Sequence, residues 1–379
     1  MLLLLLPQVA VSATVTEVHY VMGTYFRITA EQRDPGAART AMRLCFTSAR
    51  DLESRFSRFD PSSELSQLNA TDVRAVTVSD DMAALLRRSL QLRQTTGGSF
   101  DVAVGSLTTL WRKATQWPTA AQLAAARAGL GDDALQLQSR TLIRQPGVRI
   151  DLDGVAKGFA VDRCAAQLRA AGITPALLSF GESSLYAIGA PAGTHGWTVT
   201  VRSIDTNHAL GTLTLRDRAA SISAVFGHER QIGPRRVGHI VNPHTGEPLT
   251  APALAVVVAS SATDAEAFSK AVLVEASLVD KRTLTLRRAA NEPAGKTPLW
   301  SPLGKGGRQT LPLSKGGWQT LPPYQGGIEG GFRRRNVFVH GLISGALLIR
   351  PGSIRRIGTI PFTALPHPTR IAAAAEPLR

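Results

Sequence analysis

The sequence predicts an α+β fold of mixed sheets with packed helices, followed by a disordered Gly/Pro-rich C-terminal extension. Three observations lead there. Segments with a hydrophobic period of 2 and segments with a period near 3.6 alternate without a regular βαβ rhythm. Short apolar runs separated by turn residues follow one another between residues 176 and 261, as in an antiparallel series. Beyond about residue 290 the composition changes, and "PLGKGGRQTL", "PLSKGGWQTL" and "PPYQGGIEGG" repeat every ten residues over 302–331. Such a decapeptide has neither helical nor strand patterning and buries no core alone.

Residues 1–13, "MLLLLLPQVAVSA", read as a truncated signal peptide: an apolar run followed by the small-residue site Val11-Ser12-Ala13, without a basic start. This implies export of a domain spanning residues 14–290. Val15–Ala30 alternates like a hairpin broken at Gly23, and Ala37–Phe56 has helical periodicity that is left through Pro61. Asp81–Thr95 is a second amphipathic helix, closed by Gly97-Gly98. "ALLSF" and "SLYAIGAP" read as a strand pair around Gly181. "GWTVTVRSI", "HALGTLTLRD" and "ASISAVFG" continue the strands, "ALAVVVASS" is a buried strand, and Thr263–Val274 is helical. Cys45 and Cys164 show no metal or redox spacing and fall on apolar helix faces, so core packing is expected of both.

The net charge of +15 points first to a polyanion partner, but its distribution does not. Residues 291–379 hold 12 Lys/Arg against 3 Asp/Glu, and the rest of the chain has no basic run. No nucleic acid is expected as a partner, and the basic tail is expected to make at most weak contact with a membrane surface. No segment after the N-terminus approaches the ~20 apolar residues of a membrane span.

The stretch "DLDGVAKGFAVD" (151–162) carries the first chemical signal. A strand ends at Asp153-Gly154, and helical spacing then runs through Ala160, Cys164 and Leu168 to a cap at Gly172. Ala156, Lys157 and Gly158 thus open a helix, where free N–H groups, the dipole and the Lys157 charge suit an anion, with Gly158 admitting it to the backbone. The Walker spacing is absent.

With "VMGTYFRI", "FSRFDPSSELSQLN", "GGSFDVAVGSL", "GHIVNPHTGEP" and "SATDAEAFSKAVLV" in order, residues 17–276 resemble the ApbE family, the FAD:protein FMN transferases. The resemblance implies an ApbE-like, T-fold-like α+β domain in the periplasm or envelope of a bacterium. It further implies FAD as substrate, Mg²⁺ as cofactor, transfer of FMN to a Thr or Ser of an acceptor flavoprotein, and release of AMP. Carried over by motif, Met22, Gly23, Thr24, Asp101, Lys157 and Asp162 are FAD-contacting candidates, and His239 is the candidate proton acceptor. Each also has a plainer reading: Met22 as core, Asp101 as a turn cap, His239 as a strand histidine.

The metal-site pattern departs from the family. Ala156 is present to offer a carbonyl, but Glu266 stands where Asp belongs and Lys270 where Thr belongs. A register using Asp264 puts Phe268 at the Thr position. At i and i+4, Glu266 and Lys270 suit a helical ion pair. The sharper expectation makes Lys270 a catalytic cation standing in for Mg²⁺. The "SFGESSLYAIG" and "SISAVFG" stretches depart as well, and the usual C-terminal strand is expected to be replaced after about Leu286. A catalytically impaired FAD-binding or flavoprotein-assembly factor is the alternative function.

Overall fold

The structure is a computed structural model that describes residues 12–203, 208–290, 343–350, 353–358 and 360–364. The elements run β1 (Ala13–Val21), β2 (Thr24–Gln32), α1 (Pro35–Phe56), α2 (Glu64–Ala70), β3 (Ala75–Thr77), α3 (Asp80–Thr95), α4 (Gly105–Lys113) and α5 (Ala120–Arg127). There follow β4 (Leu135–Gln138), β5 (Thr141–Arg144), α6 (Ala156–Ala170), β6 (Ala176–Phe180), β7 (Ser184–Ile188), β8 (Trp197–Arg202), β9 (Ala209–Leu215) and β10 (Arg218–Ala224). The chain continues through β11 (Arg230–Ile232), β12 (Arg235–Val237), β13 (Leu254–Ala259), α7 (Ala262–Ala290), β14 (Ile343–Arg350), β15 (Ser353–Gly358) and β16 (Phe362–Ala364).

The fold is α+β, as expected. Eight strands form the main sheet in the order β1-β2-β6-β7-β10-β13-β14-β15, and β16-β9-β8 form a smaller one. Every paired strand described is antiparallel, so the sheets are less mixed than the sequence suggested; one isolated bridge, Val104 to Arg149, is parallel.

Strand β13 shows why its sequence is uniformly apolar. Ala255, Val257 and Ala259 face the core shared with α1, α6 and α7. Leu254, Val256 and Val258 face Leu213, Leu215 and Phe362 of the smaller sheet. A strand covered on both faces has no position for a polar alternate.

Helix α1 begins with Pro35 behind Asp34, whose carboxylate accepts from the N–H groups of Gly36 (2.9 Å) and Ala37 (3.0 Å). Its buried residues, among them Met42, Cys45, Phe46, Ala49 and Leu52, recur at helical spacing. Cys45 and Cys164 are both fully buried where α1 crosses α6, each thiol donating to the other residue's carbonyl (3.6 and 3.4 Å). They are core residues, as the sequence indicated.

The expected boundary at residue 290 is not where the sheet ends. β14 pairs along β13 from Leu254↔Ile349 to Ala259↔Ile343, β15 pairs with β14, and β16 pairs with β9. Ala346 and Leu347 are fully buried on opposite faces. The strand expected to be replaced after Leu286 is therefore supplied by "ISGALLIR", some fifty residues later in the chain than α7 would require. The reason is the run's unbroken apolar stretch Ala346–Ile349, which fits a strand whose two faces meet two different cores. Of the signal peptide expected over residues 1–13, residues 1–11 lie outside the described residues, as do the decapeptide repeats at 302–331, whereas Ala13 already belongs to β1, paired with Gln32. Among the described residues no helix is long and apolar enough to cross a membrane.

Candidate functional site

A cavity of about 1150 Å³ opens where the loop before α6, the β6–β7 turn, the end of β10, the segment after β12 and one face of α7 converge. It exceeds the ~300–1,000 Å³ common for small-molecule sites, which suits an extended ligand. Arg58, Asp101, Asp153, Lys157, His239 and Lys270 are among its lining residues.

Helices α6 and α7 make the cationic corner. They approach so closely at Gly158 that a Cβ there would lie 2.6 Å from the carbonyl oxygen of Ala262 and 2.8 Å from the nitrogen of Thr263. The missing side chain thus admits the start of α7, not a ligand as the sequence suggested. Across this contact the buried Glu266 carboxylate reaches the start of α6. Its Oε2 accepts from the Gly158 N–H at 2.9 Å, and its Oε1 accepts from the Ser184 hydroxyl. The Lys157 ammonium lies 3.6 Å from Oε1. The helix N-terminus that the sequence assigned to an anion therefore already holds a carboxylate.

Lys270 follows Glu266 by one turn, but the expected i, i+4 ion pair is not at bonding distance; the carboxylate turns to Lys157 instead. Loss of hydration in the cavity wall lowers the Lys270 pKa to about 8, the pull of Glu266 being opposed by Lys157. Asp264, the alternative register, is buried and accepts from Nε and Nη2 of Arg88 of α3, both at 2.7 Å. Neither Asp264 nor Glu266 lines the cavity; Glu266 is buried behind it, against the start of α6. Behind Glu266, Ser269 donates to its carbonyl (2.8 Å) and meets Ser221 (3.1 Å) and Ser223 (2.7 Å), so the serines of "SISA" tie β10 to α7.

The residues proposed for Mg²⁺ do not fit a divalent ion. Ala156 is the first residue of α6, where helical geometry directs its carbonyl to the N–H four residues on. Glu266 has both oxygens engaged, and Lys270 brings an ammonium in place of an oxygen donor. Magnesium wants several hard oxygens in near-octahedral array. Among the described residues no group of three or more His, Cys, Asp or Glu side chains gathers as for a metal ion.

His239 follows β12 and Gly238, where a Cβ would stand 2.4 Å from the Val225 carbonyl, so the backbone is clamped against the 225–228 segment. Its ring meets that of His228 edge-on at 5.6 Å. The imidazole is open to the cavity yet crowded by its walls. That loss of solvation, followed by the charge of His228, Lys270, Lys157 and Arg58, lowers its pKa to about 4. At pH 7 it is neutral and able to take a proton.

Asp101 lines the cavity but is fixed by Arg93 (2.7 Å) and by the Ala103 N–H (2.8 Å); burial raises its pKa. Both the turn-cap reading and a place at the cavity wall therefore hold. The other candidates stand outside the cavity lining. Met22 and Gly23 form the two-residue β1–β2 turn with left-handed φ of 47° and 74°, a type I′ hairpin. The Met22 N–H donates to Glu53 (2.8 Å), and Thr24 packs on Gly181, which does line the cavity.

Asp162 is spent on the start of α7. It accepts from the N–H groups of Ala262 (2.6 Å) and Thr263 (2.9 Å) and the hydroxyls of Ser261 (3.0 Å) and Thr263 (2.7 Å). Asp162→Asn is expected to cost about 1–2 kcal/mol, read as a lower urea midpoint, with ligand affinity changed only as far as α7 shifts.

Sequence reasoning passed over several cavity residues. Arg58 bridges Asp151 (2.8 Å) and Asp153 (2.7 Å), and Thr108 donates to Asp151 at 2.7 Å. Asp153, half exposed, has its pKa raised to about 6 by crowding of the wall and by Asp151, against the pull of Arg58 and Lys157. The Ser99 hydroxyl bridges Glu275 and His244 (3.0 Å). Arg58, Asp151 and Asp153 lay inside stretches already singled out; only their convergence was invisible.

The sequence pattern of the ApbE family matches residues 22–287. FAD:protein FMN transferase from Klebsiella pneumoniae is 28% identical over 268 residues, 67% of this chain and 76% of that protein. The protein of that name from Salmonella typhimurium is 29% identical over 210 residues, so the chain spans 60% of its length and aligns over 52% of its own. The flavin transferase ApbE from Vibrio cholerae superposes with a TM-score of 0.62 at 26% identity, over 69% of this chain and 87% of that one.

Proposed function

The chain belongs to the ApbE family, and from that premise we propose that its cavity binds FAD, cleaves the pyrophosphate and transfers FMN to a Thr or Ser of an acceptor flavoprotein. The observation that carries the reading is a neutral histidine and two lysines brought to one large cavity from three separate parts of the sequence.

The attacking oxygen is the acceptor's hydroxyl. It bonds to the phosphorus on the FMN side, the bridging P–O bond breaks, and AMP leaves with that bridging oxygen. The hydroxyl proton passes to His239, whose imidazole is free to accept it. Phosphoryl transfer asks the protein chiefly for positioning and neutralised charge. Lys157, tied to Glu266 at the start of α6, and Lys270 on α7 supply positive charge in a wall of restricted solvent access, where it counts for more than in water. Arg58 holds Asp151 and Asp153, offsetting one of their two negative charges on that side of the cavity. The residues at that corner do not suit a divalent ion, so the charge there comes from the lysines.

The pH profile follows. Below about pH 4 His239 is protonated and cannot accept the proton; above about pH 8 Lys270 loses its charge. The plot of kcat/KM, which reports the free enzyme, is expected to be a bell with limbs near these values. Asp153, His228, Glu266, Lys157 and Arg58 are the other charged or titratable groups facing them. An acid limb near the ordinary histidine value of ~6.5 would count against the neutral His239 described here.

The apolar N-terminal run supports placing the reaction in the cell envelope, where the acceptor would also lie. The function is tested by AMP release from FAD, expected when a flavin-acceptor domain is present. Tight FAD binding with no AMP under any condition would sink the transferase reading and leave a flavoprotein-assembly factor.

A further inference from the structure

Glu266, Lys157 and Lys270 form one electrostatic unit whose charges do not balance. The single carboxylate is occupied by a backbone N–H, a serine hydroxyl and the Lys157 ammonium. Lys270 lines the same cavity with no hydrogen bond or ion pair among the described residues. Its helix is clamped onto α6 at Gly158 and held by Asp162, so the two ammonium groups sit on a rigid pair of helices rather than on loops. The corner has a net positive charge, open toward the cavity, beside neutral His239.

We propose that this lysine pair is a built-in replacement for a divalent cation: Lys270, seated beside the Lys157–Glu266 pair, holds the diphosphate of the dinucleotide directly, so that binding needs no metal. The proposal rests on the FAD reading above. A divalent ion placed here would meet two ammonium groups and a carboxylate with both oxygens already engaged. A diphosphate would meet the charge and the donors that the corner leaves unmatched. An ammonium offers three donors to phosphate oxygens as a point charge, without the strict geometry of a hexacoordinate ion. Glu266 then acts as a positioning residue, fixing Lys157 and the start of α6.

The test uses the full chain, stripped of metal, with FAD affinity measured by quenching of flavin fluorescence in EDTA and in excess Mg²⁺. For the wild type the two affinities are expected to agree. Lys270→Gln is expected to weaken FAD binding in EDTA by about 10- to 100-fold, the worth of one charge-assisted contact, and Lys270→Arg to retain most of it. Inorganic pyrophosphate should compete with FAD on the wild type in EDTA and compete more weakly on Lys270→Gln. A wild-type affinity that collapses in EDTA and returns with Mg²⁺ would overturn the lysine pair while leaving the FAD site standing. Equal affinity of Lys270→Gln and wild type in EDTA would overturn it as well. No FAD binding by the wild type in either buffer would instead remove the FAD reading itself. The wild-type comparison needs no variant to fold, so the proposal stays exposed to it alone.

Discussion

His239→Asn is expected to lower kcat/KM for FMN transfer by about 10²–10⁴-fold while FAD affinity stays close to that of the wild type. The amide keeps the size and polarity of the side chain but accepts no proton at neutral pH. The acid limb of the profile should vanish with it, because its pKa of about 4 belongs to this imidazole. Steady-state rates against pH, with fluorescence titration of FAD, separate the two effects. If the variant loses affinity and turnover alike, His239 binds rather than abstracts a proton. If it loses neither, the plainer reading of a wall histidine holds.

Gly158→Ala is expected to damage stability and FAD binding together. The added Cβ would stand 2.6 Å from the carbonyl oxygen of Ala262 and 2.8 Å from the nitrogen of Thr263, both backbone atoms at the start of α7, which no side-chain rotation relieves. Overpacking of this kind costs about 1–3 kcal/mol, and the consequence does not stop at stability. Lys157 belongs to α6, whereas Glu266 and Lys270 belong to α7. Parting the helices stretches the Gly158–Glu266 hydrogen bond and the Lys157–Glu266 pair together. A lower urea midpoint accompanied by weaker FAD binding is the expected result. A variant with wild-type stability and wild-type FAD affinity would show that the two helices do not set the corner.

The contrast between Gly158 and Lys157 shows how far the sequence could be read. The strand–turn–helix at 151–172 was legible from its periodicity, with Lys157 at the helix start, and the fold adds that Lys157 lines the cavity. What Gly158 is for was not legible, because a glycine that admits a ligand and one that admits another helix leave the same letter. Asp162 misled for a related reason: it stands five residues past Lys157, about 140° further round the helix, at the start of α7, where four donors claim it. The ordered motif set carried the fold and family, whereas the direction of each side chain depended on packing between distant segments. The tail failed differently. Its decapeptides drew attention away from "ISGALLIR", whose short apolar run becomes decisive only beside β13. An insertion between α7 and β14 divides the sheet in sequence while leaving it whole in space.

The departures at Glu266 and Lys270 were legible as residues and not as geometry. Read along one helix they predict an ion pair with each other. In the fold the carboxylate is captured across the helix contact by Gly158, Ser184 and Lys157, and Lys270 is left to the cavity. Ser184 itself lies in the stretch that departs from the family pattern, so the altered residues make up one another's surroundings.

The central claim is tested most directly by the intact mass of a flavin-acceptor domain incubated with the full chain and FAD. The account predicts that the acceptor gains the mass of one FMN less water, that the addition maps to a Ser or Thr, and that AMP appears in equal amount. An acceptor of unchanged mass, alongside tight FAD binding by the same preparation, would contradict it.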